Sequence, residues 1–152
     1  MAEPAVRPAP PLYDRDFYAW SEEQSRLLMA RSRAGLDWDN LAEEIATLGR
    51  SERSEIRSRI RVILVHLLKW QFQPEGRNAS WAGTLLEQRD QLNETINASP
   101  SLRGYPQSIL PRQYDIARLK AAGETGLPVE NFPQECPYTA ADILDDTFFP
   151  AG

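Results

Sequence analysis

One histidine and one cysteine in 152 residues exclude much of the usual chemistry. A lone cysteine closes no internal disulfide, and without a C-x-x-C pair there is no redox or zinc motif. The eight glycines are scattered, so neither a P-loop nor a dinucleotide-binding turn can be assembled from them. Long apolar runs are also missing: the longest is about half of the roughly 20 residues a bilayer requires. Strand-like alternation and internal repeats are absent. The net charge of −5 argues against nucleic acid as a global partner. Proline is concentrated at the start, MAEPAVRPAPP, which lacks the apolar core of a signal peptide and reads as a disordered tail over residues 1–11. These absences predict a soluble, cytoplasmic protein with no membrane span, no metal and no cofactor, and one folded domain over residues 12–150.

What is present is helical periodicity. The stretch VILVHLLKWQF, residues 62–72, is apolar almost all the way round a helix, so neighbours must cover it on more than one side. It is expected to be the central helix of an all-α, up-down bundle of four to five helices. Leu64, Leu67, Leu68 and Trp70 are its predicted buried residues. A stripe of Leu41, Ile45 and Leu48, expected to be buried, continues in phase through Glu52, Ile56, Ile60, Ile63 and Leu67. That phase favours one bent helix from Trp38 to Phe72, with Asp37 as its N-cap and Gly49 in its interior at a cost of only about 1 kcal/mol. The alternative is a turn at Gly49 with Ser51 capping a new helix.

An earlier helix is predicted from Asp14 or Asp16 to about Arg33, stopped by Gly35. Pro74 ends the central helix, and Asn78 or Ser80 caps an antiparallel successor bearing Trp81, Leu85, Gln88, Leu92 and Ile96 at helical spacing. A further helix is expected from Pro111 to about Gly123. The remainder, with Phe132, Tyr138, Phe148 and Phe149, is too apolar for a free tail. It is expected to wrap over the bundle and to include one short helix with a capping box at Thr139 and Asp142.

His66 is the one histidine and interrupts the central apolar run. It lies about as far before the hairpin turn as Glu87 lies after it, so antiparallel packing can bring the two level as an acid-base pair. The structural alternative is a core histidine bonded to Glu87 or another residue of the following helix. A metal site would have to draw on His66, Glu43, Glu44 and Glu87. On a continuous helix, however, Glu44 lies about 33 Å from His66. Cys136 is expected to pack as a small hydrophobe rather than act as a nucleophile with His66. Arg50, Arg53, Arg57 and Arg61 recur at helical spacing as a basic stripe. Glutamates dilute it, so a solvated face with weak, nonspecific phosphate contacts is expected. Trp70 and Trp81 flank the hairpin turn and are expected to stack there as core, with a small-molecule or peptide pocket as the alternative.

The chain resembles a bacterial family, the domain of unknown function 29 family, in seven ordered blocks: LYDRDFYAW (12–20), NLAEEIATLGRSER (40–53), HLLKWQFQP (66–74), SWAGTLLEQR (80–89), SPSL (99–102), ETGLP (124–128) and CPYTAADIL (136–144). The resemblance covers Leu12 to Pro150 and implies an all-helical bundle without implying an activity. Two functions are weighed. One is a helical interaction or regulatory module that meets a protein partner, a second copy of itself included, through its surface. The other is a small acid-base or hydrolase-like enzyme centred on His66 and Glu87. The residues favour the first.

Overall fold

Apolar spacing of three and four residues becomes helix throughout the computed structural model, which describes Ala2 and residues 7–152. The expected tail over residues 1–11 lies partly outside the described residues, at Met1 and at positions 3–6. Among the described residues there is no strand, and the protein is an all-α helical bundle. Its helices are α1 (Leu12–Arg15), α2 (Phe17–Met29), α3 (Trp38–Phe72), α4 (Ala79–Ala98), α5 (Tyr105–Thr125) and α6 (Ala140–Leu144). The chain divides into two compact units, Met1–Gly49 and Arg50–Gly152. Helix α3 is unbroken at Gly49, as its continuous phase required.

In the first unit, the Asp16 carboxylate caps α2 by accepting from the Ala19 amide at 2.9 Å. The helix ends at Met29, before the expected Arg33, because Arg31 turns into the left-handed region at φ 53°. The amides of Arg31 and Ser32 then reach back to the carbonyls of Leu28 and Leu27, a Schellman closure with arginine in place of the usual glycine. A polar clip joins α2 to α3. Trp20 Nε1 donates to the Asp37 carboxylate at 3.0 Å, and buried Gln24 both accepts from the Asp37 amide and donates to the Gly35 carbonyl. Asn40 also donates to Asp37, and these hydrogen bonds, Asn40 first and then Trp20, hold its carboxyl below the ordinary range.

The buried stripe expected at Leu41, Ile45 and Leu48 is a correction. Leu41 is half-buried, while Ile45 and Leu48 are each 69% exposed. A unit made of two main helices covers one flank of each and leaves the rest of the stripe open.

In the second unit, the same stripe is covered. Ile56, Ile60, Ile63, Leu64, Leu67 and Leu68 are fully buried. Trp70, expected with them, is only half-buried. Cross-helix contacts give the directions: Arg59 meets Gln88 and Lys69 meets Trp81, so α4 is antiparallel to this part of α3. Arg57 meets Tyr105, Arg61 meets Gln113 and Lys69 meets Glu124, so α5 runs parallel to it. The order is up-down-up.

Asn78 caps α4 through the Trp81 amide at 2.8 Å. Helix α5 starts at Tyr105, six residues before the expected Pro111, and ends at Thr125, where Gly126 follows as its C-cap with φ 72°. Pro106 occupies the first turn, and Pro111 lies inside the helix with its ring exposed, where solvent can satisfy the carbonyl that lacks its usual N–H partner. The C-terminal segment packs on the bundle, with Phe132, Tyr138 and Ile143 buried and Phe148 against the core. The Thr139–Asp142 capping box starts α6 as the sequence indicates.

Candidate functional site

His66 does not meet Glu87. Its Nδ1 lies 2.9 Å from the Val62 carbonyl one turn earlier on α3. A carbonyl only accepts, so Nδ1 carries the proton and Nε2 is left as the acceptor. The ring lines a depression of about 90 Å³ beside Arg61, Lys120 and Glu124, whereas Glu87 is exposed on α4. Hairpin counting places the two residues at one level but leaves the face open, and His66 faces α5. Burial lowers the imidazole pKa from its ordinary value and outweighs the Val62 hydrogen bond; Lys69 pushes the same way as burial, and Glu124 opposes it.

The arginine stripe is not a free basic face. Arg53 lies over the Tyr105 ring at 5.1 Å, Arg57 donates to the Tyr105 hydroxyl at 2.6 Å, and Arg61 donates to Gln113 at 2.9 Å. Arg50 is exposed and also has a partner. Arg59, outside the stripe, forms an ion pair one turn along α3, its guanidinium reaching Glu55 at 2.7 Å. Three arginines of the stripe thus fasten α3 to α5.

The tryptophans also separate. Trp70 packs on Phe149 at 4.8 Å, and the Arg77 guanidinium lies 5.3 Å from its ring. Trp81 receives the Lys69 ammonium at 4.6 Å, and Phe72 packs on Phe132. Among the described residues no ring contact joins Trp70 to Trp81, because the first faces the C-terminal segment.

Cys136 lines a cleft of about 470 Å³ with Leu110, Pro111, Tyr114, Tyr138 and Thr139. None of the residues lining the His66 depression lines this cleft. The Cys136 thiol donates to the Tyr138 carbonyl at 3.3 Å, and burial pushes its pKa up, so it is held as a thiol and not as a nucleophilic thiolate. Tyr114 donates to the Pro133 carbonyl, and burial pushes its hydroxyl up to about 12. Tyr138 donates to Gln71 at 2.7 Å and is shifted upward for the same reason. These hydroxyls serve as fixed donors at neutral pH, not as bases. Among the described residues, no group of three or more His, Cys, Asp or Glu side chains is arranged to hold a metal ion, and no helix is long and apolar enough to cross a membrane.

Two features escaped the sequence reading. The first is Arg89, fully buried in α4. Its guanidinium donates to the carbonyls of Ile143, Phe148 and Asp142 at 2.9, 2.9 and 3.0 Å, and Asn93 adds a bond to Leu144. Leu85, Arg89, Leu92 and Ile96 form the buried stripe, with Arg89 in it and the expected Gln88 only half-buried. The signal was an arginine at an apolar position.

The second feature is a groove of about 480 Å³ in the first unit, floored by Trp20 and Gln24. Ser21, Ser25, Leu28 and Met29 of α2 form one wall, and Leu41, Glu44, Ile45 and Leu48 of α3 form the other, the Glu44 carboxylate accepting from the Tyr13 hydroxyl. Its walls are mostly apolar, and it holds no constellation of catalytic groups. What this groove can do is receive another apolar surface.

A sequence model described as Domain of unknown function DUF29 matches residues 12–149. No curated protein and no solved structure matches the chain.

Proposed function

The chain belongs to the DUF29 family, a membership that carries no activity with it, and from that premise we propose that it is a helical interaction module working through its α2–α3 surface. The observation that supports this reading is the unequal cover along one stripe of α3. Ile56 and Ile60 are 0% exposed, whereas Ile45 and Leu48, in phase with them, are each 69% exposed. A stripe with core composition and no cover is the pattern of a surface that meets another polypeptide. The partner in this reading is a protein and not nucleic acid, because Arg53, Arg57 and Arg61 are engaged with α5. The setting is the cytoplasm, where the lone cysteine remains a thiol.

A photo-crosslinking amino acid placed at Leu48 in the native cell tests the proposal. A covalent adduct to a polypeptide is expected there, and none is expected from the same group at Leu119, an exposed leucine on α5. No polypeptide adduct at Leu48 would overturn the reading.

A further inference from the structure

We infer that the α2–α3 groove is closed by the same groove of a second copy of this chain, the two copies lying antiparallel about a two-fold axis near Ser25. The inference rests on the interaction reading above and adds the identity of the partner. Its first support is area. Leu28, Met29, Ile45 and Leu48 at the groove are at least half exposed. So are Phe17 and Tyr18, at helical spacing before Ser21 and Ser25, and Trp38, at helical spacing before Leu41. At on the order of 100 Å² each, these seven side chains offer on the order of 700 Å². That is close to the roughly 800 Å² per partner of a standard stable interface.

The second support is the order of charges. Glu22 and Glu23 precede Ser25, and Arg26, Arg31 and Arg33 follow it, all exposed. Glu22 and Arg26 share one flank of α2, so an antiparallel copy crossing at Ser25 lays Glu22 of each chain beside Arg26 of the other. A parallel copy would lay like charge on like. A sign reversal about the midpoint of the contact is what self-complementarity under a two-fold axis requires, whereas a foreign helix would require only an opposite charge. The small side chains of Ser21 and Ser25 stand at the crossing, where two α2 helices must approach most closely.

The test uses the full chain in sedimentation equilibrium. A reversible dimer of the 17.3 kDa chain is expected. Ile45→Asp with Leu48→Asp should raise its dissociation constant by about 100-fold or more, as for residues central to an interface. Both positions are exposed, so the helical circular dichroism of the variant should be unchanged, while Leu119→Asp should leave the dimer intact. Glu22→Arg should weaken the dimer, and adding Arg26→Glu to the same chain should restore it. A chain that is monomeric at about 100 μM, or a dimer indifferent to the Ile45 and Leu48 changes, overturns the inference. If the purified chain is monomeric yet Leu48 crosslinks to a polypeptide in cells, the second-copy assignment fails and the interaction reading stands. If neither occurs, both fail.

Discussion

At the scale of single residues, position round a helix matters more than position along it. Counting from the turn assigns His66 only a level and leaves its face to side-chain packing, which turns the ring to the side of Lys120 and Glu124 and away from Glu87. The half-buried ring gives a stability signature with a definite sign. The folded ring takes up its proton at lower pH than the unfolded chain, whose value is near 6.5. Between those values the unfolded state binds more protons, so stability rises with pH. The His66 contribution is complete above about pH 6.5 and is lost as pH falls through the folded value. Denaturant titrations from pH 5 to 8 should show this slope, and His66→Gln should flatten it; an unchanged slope would mean the ring is not shielded. Arg89 makes a stronger claim. Arg89→Ala leaves three backbone carbonyls without their donor and should cost about 3 kcal/mol or more. Arg89→Lys should not rescue it, since a single ammonium cannot reproduce the guanidinium fork. Thermal denaturation measures the loss, and limited proteolysis should show earlier cleavage between residues 140 and 150.

At the scale of elements, the sequence was most informative where periodicity was longest. Helix α3 has the predicted bounds because an apolar stripe unbroken in phase outweighs one glycine. Gly49 is then an ordinary interior helix position, and a Cβ there would meet nothing within 4 Å. Gly49→Ala should therefore raise stability by about 1 kcal/mol, the difference in helix propensity; a loss in a melting experiment would place a break there instead. Helix α4 is legible from its apolar repeat and from a cap at Asn78 or Ser80, of which Asn78 serves. The start of α5 is not, because Pro111 resembles a first-turn proline and nothing in the sequence says that its ring faces solvent. The end of α2 was displaced by a left-handed arginine, a conformation for which residue type gives little warning. Nor could periodicity show that Ile45 and Leu48 are open, since an apolar stripe reveals the need for cover but not who provides it.

At the scale of the whole chain, apolar burial is shared unevenly. Among the described residues, the buried ones of the first unit are Trp20, Gln24 and Leu27, while the second contains the continuous core around Leu64, Leu67 and Leu68. Leu67→Ala should accordingly cost about 2 to 5 kcal/mol in denaturant unfolding, and a cost below about 1 kcal/mol would count against this core. Helix α3 belongs to both units, with a consequence for the lifetimes of its backbone hydrogen bonds. Amides near Ile60 to Leu68 are released only by global opening, but those from Leu41 to Leu48 can open by local unwinding of an uncovered end. Hydrogen–deuterium exchange on the dilute chain should therefore slow along one continuous helix from its N-terminal to its C-terminal half. Whatever settles on Ile45 and Leu48 should slow exchange in the first half, so that the helix reports, amide by amide, whether its partner is present.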